Sequence, residues 1–346
     1  MKDKSKFRMI ADQFRYMIQS GEMVSGEKFP TRKELCEKFR ISSMTAFHVQ
    51  EELQHDGLII NTPGIGFFVN APEMSPDNAF NTALKKIHMI GSPQAIGKEA
   101  EFGSAVVSGA KEACKRHNIS FNLELIQVLN NPARIINTTR RLARDEALLV
   151  LLHSELLPEI ITLLMAPEVR SVTVLRNFPG KSAVLPDWKY AAKTFSDYLQ
   201  KRNAKKVLYV GMCSRWDFPQ HETELFENFT EYADFFELEN DFSGNFREVE
   251  KHVSVYKPDA ILFSHSDAAV HFFDNHLARF NGKTPLLIGY GHAVVPGKEK
   301  QLDAVYYHDA FEMGEKAVNL LLQHKNGLRV PLWQRVKGQL IEYNLK

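Results

Sequence analysis

The spacing of apolar side chains divides the first seventy residues into helical stretches followed by a hairpin. Apolar residues recur at helical spacing and predict a first amphipathic helix: Phe7, Ile10, Phe14, Met17 and Ile18. Gly21 is expected to end this helix. A second helix is predicted over TRKELCEKF, with Thr31 as its N-cap and Glu34, three residues later, completing a capping box.

A third helix and a short hairpin complete this pattern. Ser42 or Ser43 is expected to cap the helix SMTAFHVQEELQHDG, which Gly57 ends. Two strand-like runs follow, LIIN and GFFVN, joined by the turn TPGI. Helix, helix, turn, helix and hairpin in this order predict a winged helix-turn-helix. In such a domain the third helix lies in the major groove of DNA, with its N-terminal residues at the base edges.

The rest of the chain has a different pattern. Residues 71–83, APEMSPDNAFNTA, contain two prolines and little periodicity, which indicates an interdomain linker. Over residues 84–346, strand-like apolar runs such as ALLVLLH alternate with helical ones such as WKYAAKTFSDYLQKRN. The run ETELFENFTEYADFF is predicted to be helical, and QRVKGQLIEYNL is predicted to be one closing strand. Repeated βα units imply parallel sheets with right-handed crossovers, and two such sheets in tandem fit this length.

Charge and its distribution narrow the functional class. The 346 residues are 44% hydrophobic and 25% charged, and their net charge of +1 does not by itself indicate a nucleic-acid partner. Residues 1–40 hold ten Lys/Arg and six Asp/Glu, a net of +4, whereas residues 41–60 hold three acids and no Lys or Arg. The first stretch either faces phosphates or forms a solvated helical surface.

Sequence motifs exclude several classes of protein. The three cysteines are widely spaced and odd in number, which is typical of a reduced protein without a metal knuckle. Because there is no apolar run of membrane-spanning length and no signal-peptide pattern, we expect a cytoplasmic protein. The chain contains no Gly-rich phosphate loop, nucleophile elbow, His-Glu-x-x-His or CxxC motif. We therefore expect no enzymatic activity, no metal and no cofactor.

Three N-terminal segments carry a family resemblance: SGEMVSGEKFPTRKEL, ISSMTAFHVQEELQHDGLI and TPGIGFFV. With no gap in their spacing, they resemble the DNA-binding domain of the GntR family of regulators. Ser43 and Phe47 stand where the family's recognition helix has arginines, and Lys33 replaces the arginine of its second helix. Because arginine is the usual bidentate reader of guanine, we expect an operator unlike the family's usual one.

The resemblance implies that the third helix, the second helix and the wing contact DNA. The candidate DNA-binding residues are Lys33, Ser42, Ser43, Met44, Thr45, His48, Gly64 and Gly66. For Lys33, Thr45 and His48 the alternative is a plain surface position. Phe47 either makes an apolar contact with DNA or belongs to the core. The two glycines of the wing would permit close approach to the DNA backbone.

Phrases in the remaining chain carry a second resemblance: SGAKEACKRHNI, KRNAKKVLYVG, KPDAILFSHSD, TPLLIGYG and FEMGEKAVNLLL. They resemble the LacI/GalR regulator domain, which has the type I periplasmic-binding-protein fold. The combination with a GntR-type head resembles arabinose-responsive repressors. The implied fold class is α/β: a winged helix-turn-helix over residues 1–70 plus a two-lobed parallel α/β sensor and dimerisation domain over residues 84–346. We expect the chain to cross between the lobes near residue 187 and within residues 300–325.

In this fold the ligand lies between the lobes, at the carboxyl ends of the strands. The candidate effector-binding residues are Ser92, Gln94, His153, Asp187, Arg215, Trp216, Asp267 and His292. Asp187, Arg215 and Asp267 offer planar hydrogen-bonding groups for sugar hydroxyls, and Trp216 offers an aromatic face. Asp187 and Asp267 have helix capping as the alternative, and Trp216 has core packing. The family's sugar-binding arginine has no counterpart, and His292 is the expected replacement contact.

Both resemblances imply a transcription regulator. We expect a homodimeric repressor that binds double-stranded operator DNA and responds to a small-molecule effector, a sugar or a sugar derivative. Most dimer contacts would come from the sensor domain. The alternative is an enzyme or a solute-binding protein that uses the two-lobed domain.

Overall fold

The head of the chain is a winged helix-turn-helix. Its elements are α1 (Lys6–Gln19), α2 (Arg32–Phe39), α3 (Ser43–His55), β1 (Ile59–Thr62) and β2 (Gly66–Val69). Strands β1 and β2 are antiparallel, and Lys28 bridges to Phe68 on the other side of β2. One face of α1 is apolar, and its buried Phe14 contacts Phe29, with ring centroids 4.7 Å apart, in the core that α3 completes.

The computed structural model describes most of the chain. The described residues are 6–19, 23, 27–55, 58–62, 66–69, 83–92, 96, 101–126, 132–151, 169–175, 182–212, 233–238, 246–276, 284–291, 298–323 and 333–343. The ends predicted at Gly21 and Gly57, and most of the predicted linker, lie outside these residues. The domain boundaries stay a prediction.

The predicted caps of the head are confirmed. The amide of Glu34 donates to Oγ1 of Thr31 over 3.3 Å, and the amide of Thr31 donates to Oε2 of Glu34 over 2.7 Å. These reciprocal bonds lower the pKa of the Glu34 carboxyl because they favour its charged form. Ser42, not Ser43, caps α3, since its Oγ accepts from the amide of Thr45 over 3.1 Å.

The two-sheet region contains the following elements in chain order: β3 (Lys86–Gly91), α4 (Glu101–Arg116), β4 (Ser120–Leu125), α5 (Pro132–Arg140), β5 (Glu146–Leu151), β6 (Ser171–Val174), β7 (Ser182–Pro186), α6 (Trp188–Lys201), β8 (Val207–Met212), β9 (Ala233–Leu238), α7 (Phe246–Tyr256), β10 (Ala260–Phe263), α8 (Ser266–Asn275), β11 (Leu286–Tyr290), a short 3-10 helix (Glu299–Gln301), β12 (Ala304–Tyr307), α9 (Ala310–Gln323), β13 (Trp333–Val336) and β14 (Gln339–Glu342). The first sheet has the order β4-β3-β5-β6-β7-β13 and is parallel throughout. The second has the order β9-β8-β10-β11-β12-β14 and is parallel except for β14. Strands such as β7 and β10 are buried along their whole length, as expected when helices cover both faces of a parallel sheet.

Two predictions of secondary structure were wrong. The residues ADFF, expected at the end of a helix, begin β9, which pairs with β8 at the edge of the second sheet. The run expected to be one closing strand is divided between β13 in the first sheet and β14 in the second. Gly338 permits this division, because a Cβ atom there would lie 2.0 Å from the carbonyl oxygen of Tyr307.

The chain passes between the two sheets three times. The first passage runs from β7 through Asp187 into α6, which packs on the second sheet. The second runs from β12 through His308 and Asp309 into α9, which packs on the first sheet and on α4. The third joins β13 to β14 through Lys337 and Gly338. Three neighbouring connections are the structural basis for a hinge between two lobes.

The head also touches the first lobe directly. Met17 of α1 is half-buried and packs against the core of the head. The same side chain packs against a small buried cluster on the first sheet, made of Ala183, Leu185 and Trp333. This cluster joins β7 and β13, the strands that lead into the first and third passages between the lobes.

Candidate functional site

The first candidate site is the N-terminal turn of α3. Ser43 and Met44 are exposed here, and Met44 presents 64% of its surface to solvent. The Ser42 hydroxyl lies 2.9 Å from the hydroxyl of Thr45, so the capping serine also holds that side chain. A helix that begins with exposed small and apolar side chains can approach base edges closely, and methyl groups on such a surface suit the thymine methyl group.

Two aromatic residues continue this surface along α3. His48 is half-buried, and its Nδ1 lies 3.2 Å from Oε2 of Glu51. Its ring also contacts Phe7 of α1, with centroids 5.4 Å apart. Phe47 is half-buried as well, and the guanidinium carbon of Arg32 lies 4.8 Å from the centre of its ring. Sequence reasoning missed this contact, since the two residues are fifteen positions apart and on different helices.

The second helix and the wing flank α3 with positive charge. Lys33 is exposed in the first turn of α2. Gly66 has φ +127° at the start of β2, a conformation that favours glycine. The stem of Lys28 lies 3.8 Å from the position where a Cβ atom of Gly66 would stand. The wing therefore has an exposed lysine beside it, Lys28, which was not among the candidate DNA-binding residues. Gly64 lies outside the described residues.

The second candidate site is the cleft at the carboxyl ends of the parallel strands. In each sheet, the connections leave in opposite directions from two adjacent strands, β3 and β5 in the first sheet and β8 and β10 in the second. Ligands of open α/β sheets bind at such switch points. Ser92 directly follows β3 and is buried, and its amide donates to the carbonyl oxygen of Leu151 at the end of β5 over 3.3 Å.

In the second lobe, several polar groups lie at the carboxyl end of β10. The Ser264 hydroxyl lies 3.0 Å from Nδ1 of His265. Ser266 is only 1% exposed, and its hydroxyl has no hydrogen-bond partner among the described residues. Gly289 of β11 lies against it, since a Cβ atom there would be 2.7 Å from the Ser266 hydroxyl. A buried hydroxyl of this kind is a candidate donor for a ligand.

Asp267 is the strongest single candidate in this cleft. Its side chain is exposed, yet desolvation by the surrounding protein raises the pKa of its carboxyl group. A side chain that is open to solvent and yet desolvated by surrounding protein is expected in a concave part of the surface. The capping alternative is not observed, because His265 is the N-cap of α8 and no side-chain capping bond is made there. Among the described residues, none forms a hydrogen bond or an ion pair with the Asp267 carboxylate that would give it a structural role.

Asp187, by contrast, performs the structural role that was its alternative. It is the N-cap of α6, and its Oδ1 accepts from the amide of Tyr190 over 3.0 Å. Its own amide donates to the carbonyl oxygen of Val336 over 2.8 Å, which ties the first passage between the lobes to the third. Five candidate effector residues lie outside the described part of the chain: Gln94, His153, Arg215, Trp216 and His292.

An aromatic cluster surrounds the second passage between the lobes. The ring of His308 lies 4.9 Å from that of Tyr290, 5.7 Å from that of Trp188 and 6.5 Å from that of Phe102. Desolvation lowers the pKa of His308 to about 3, so the imidazole is neutral at physiological pH. Sequence reasoning missed this cluster because its members are far apart along the chain. In the sequence, the cluster was signalled only by aromatic residues near the ends of predicted elements.

Different known proteins match the two parts of the chain. Residues 6–69 match the family of bacterial regulatory proteins, gntR family. A curated relative, the HTH-type transcriptional repressor NagR of Bacillus subtilis (strain 168), is 32% identical over 68 residues, or 20% of this chain. The chain matches 28% of the length of that relative. The head is therefore a GntR-type DNA-binding domain.

The two-lobed region resembles solved structures of transcription regulators and of a sugar-binding protein. Transcription regulator CcpA of Lactococcus lactis superposes with a TM-score of 0.59 at 15% identity, covering 75% of this chain and 98% of that one. The trehalose repressor from Escherichia coli gives a TM-score of 0.56 at 14% identity, covering 74% and 99%. GanP, a glucose-galactose binding protein from Geobacillus stearothermophilus, gives 0.57 at 13%, covering 76% and 98%. These similarities establish the two-lobed α/β fold. Within the described residues, no helix combines the length and the apolar character that a membrane crossing requires.

Proposed function

We propose that this chain, a GntR-type winged helix joined to a two-lobed sensor of the LacI/GalR type, is a sequence-specific transcriptional repressor controlled by a small-molecule effector. The observation that carries the proposal is the exposed N-terminal turn of α3 in a head that contacts the sensor through Met17. NagR and the trehalose repressor, which resemble the two parts, are both repressors by name.

The DNA-binding surface consists of the start of α3, the start of α2 and the wing. Ser43, Met44 and Thr45 lie where base edges are read, and His48 extends the same surface. Lys33 and Lys28 supply charge for phosphates, and charge of this kind makes affinity depend on salt. In a homodimer, two heads would bind half-sites about one helical turn, or about 34 Å, apart.

The effector is a carbohydrate or a carbohydrate derivative bound between the lobes. Asp267 accepts hydroxyl hydrogens, Ser266 donates from the same strand end, and Ser92 lies at the corresponding strand end of the other lobe. The names of the trehalose repressor and of the glucose-galactose binding protein support this ligand class. A neutral polyol suits a site with few fixed positive charges among its described residues, since carboxylates and hydroxyls can satisfy its hydroxyl groups.

Control of DNA binding requires the effector to prefer one arrangement of the lobes. The three passages between the sheets form the hinge, and β13 belongs to one of them. Because Met17 packs against the cluster of Ala183, Leu185 and Trp333 on β7 and β13, a change at the hinge alters the surface on which the head rests. Closure of the lobes is thereby coupled to the position of the head.

DNA binding is tested with the full chain and a pool of random duplexes, followed by anisotropy titrations with the enriched sequence. We expect enrichment of a pseudo-palindrome and a loss of at least about tenfold in affinity for Met44→Glu, because a carboxylate at a base edge repels phosphates. Val255→Glu is the matched control, since Val255 is 85% exposed on α7 of the sensor. Failure to enrich any sequence, or equal losses in both variants, would overturn the assignment.

Effector binding is tested by thermal unfolding of the full chain in the presence of mono- and disaccharides and their phosphates. A ligand at about one hundred times its Kd should stabilise the folded protein by about 2.7 kcal/mol. Asp267→Asn should remove most of this shift, whereas Asp197→Asn, a control on the exposed surface of α6, should keep it. The cleft assignment fails if no compound raises the melting temperature or if Asp267→Asn responds like the wild type.

A further inference from the structure

The recognition helix of this protein has no positive charge of its own. None of the residues of α3 is a lysine or an arginine. The adjacent helix α2 begins with Arg32 and Lys33. The positive end of the helix dipole disfavours cations in the first turn. Two cations at this position therefore require an explanation outside the stability of α2.

Arg32 is held against α3 from two sides. Its guanidinium carbon lies 4.8 Å from the centre of the Phe47 ring, within the range of a cation–π interaction. Its Nε donates to Oε1 of Gln50 over 3.2 Å. Gln50 is only 2% exposed, and its Nε2 donates to the carbonyl oxygen of Pro30 over 3.0 Å. The amide of Gln50 is thus fixed by the backbone and in turn fixes the guanidinium.

The terminal NH2 groups of Arg32 make no hydrogen bond within the described part of the chain. Its side chain is exposed, and in the described part of the chain it makes no contact beyond those to Phe47 and Gln50. The two terminal NH2 groups of a guanidinium form a planar fork that matches O6 and N7 of guanine in the major groove. A guanidinium whose Nε and planar face are already engaged loses less rotamer freedom on binding than the guanidinium of an unconstrained arginine does.

We propose that Arg32 is a guanine-reading residue of this protein. It delivers from α2 the bidentate contact that α3 cannot make, with Phe47 as its platform and Gln50 as a positioning residue. The inference rests on the proposed DNA binding and adds a base preference to it. At one base pair of each half-site, the protein prefers guanine because of Arg32.

The test uses the full chain and the duplex enriched by the wild-type protein, measured by anisotropy at several salt concentrations. Replacing the read guanine with 7-deazaguanine removes the N7 acceptor and should weaken wild-type binding by about 10-fold, within the usual range for a bidentate contact. Arg32→Ala should weaken binding to the normal duplex by about 10- to 100-fold. The same variant should be indifferent to 7-deazaguanine, since the contact is already lost.

Matched variants separate base reading from charge and from folding. Arg32→Lys keeps the charge but lacks the planar fork, so it should lose most of the guanine preference while unfolding at the wild-type temperature. Lys38→Ala removes one charge from the same helix, where Lys38 lies near the rings of Phe14 and Phe39, and should keep the guanine preference. Phe47→Leu keeps an apolar side chain without a ring and should give an intermediate loss.

Three results would overturn the proposal. In the first, Arg32→Ala and Arg32→Lys bind like the wild type. In the second, Arg32→Ala weakens every base-substituted duplex equally and reduces the salt slope by about one, which is the signature of a phosphate contact. In the third, no guanine of the enriched duplex is sensitive to 7-deazaguanine. If the wild-type chain enriches no duplex at all, the proposed function itself fails, and this outcome is distinct from the other three.

Discussion

Replacing His308 with glutamine is expected to make the folded protein less sensitive to acid. His308 lies at the second passage between the lobes, among the rings of Trp188, Tyr290 and Phe102. Desolvation lowers the pKa of its imidazole from 6.5 to about 3. Because the unfolded chain binds this proton at the higher pKa, the stability that neutral His308 contributes is complete above pH 6.5 and decreases as the pH falls towards 3.

The two pKa values set the size of the effect. Between about pH 7 and about pH 5 the unfolded chain takes up nearly one proton at this position and the folded chain takes up almost none, which costs up to about 2 kcal/mol of stability. The residue keeps a partly accessible surface, and water at that edge reduces the penalty of charging the ring. We therefore expect a difference of about 1–2 kcal/mol between wild type and His308→Gln over this interval.

Urea unfolding of both proteins, followed by circular dichroism at several pH values, measures this difference directly. All other titrating groups are shared, so their contributions cancel in the comparison. Phe263→Leu, a substitution in the core of the second lobe, is the control for lost stability without a changed proton uptake. If His308→Gln and wild type lose the same free energy of unfolding between neutral and acidic pH, His308 is not held neutral by the cluster.

Three further substitutions test the packing of the two parts. Arg170→Ala should reduce the free energy of unfolding by about 3 kcal/mol, because the buried guanidinium donates from Nε and Nη2 to the carbonyl oxygen of Leu321 near the end of α9; a loss below about 1 kcal/mol in urea unfolding would contradict this reasoning. Thr31→Ala should lower the stability of the head by about 1 kcal/mol through loss of the capping box, detectable as faster amide exchange in α2. Gly314→Ala should destabilise the chain by about 1–3 kcal/mol despite the higher helix propensity of alanine, because its Cβ would lie 2.1 Å from the carbonyl oxygen of Val106 on α4; a raised melting temperature would be the opposite of the expected result.

Local signals in the sequence predicted the head well. The capping box of Thr31 and Glu34 acts over three residues, so the identity of those residues determines where α2 begins. The same holds for Ser42 at the start of α3. In the two-lobed region, strands buried on both faces are continuous apolar runs, and this property made β5 and β7 recognisable.

Signals of this kind failed where partners distant in sequence decide the structure. The residues ADFF are compatible with a helix, and they form β9 because β8 offers a free edge. The last apolar run is interrupted at Gly338 because the carbonyl of Tyr307 approaches too closely for any side chain there. Capping was an equal expectation for Asp187 and Asp267, and only the fold shows that the first caps a helix while the second does not.

By itself, the sequence determined the elements of the head, the caps of α2 and α3 and the two-part organisation, because these depend on neighbours within a few positions. The tertiary structure decided what the candidate residues can do. It enclosed His308 in an aromatic cluster at the hinge and placed Met17 against the cluster of Ala183, Leu185 and Trp333. It also set Arg32 on the ring of Phe47. Such contacts join elements whose separation along the chain carries no periodic or local signal, so they follow only from the packing of the whole chain.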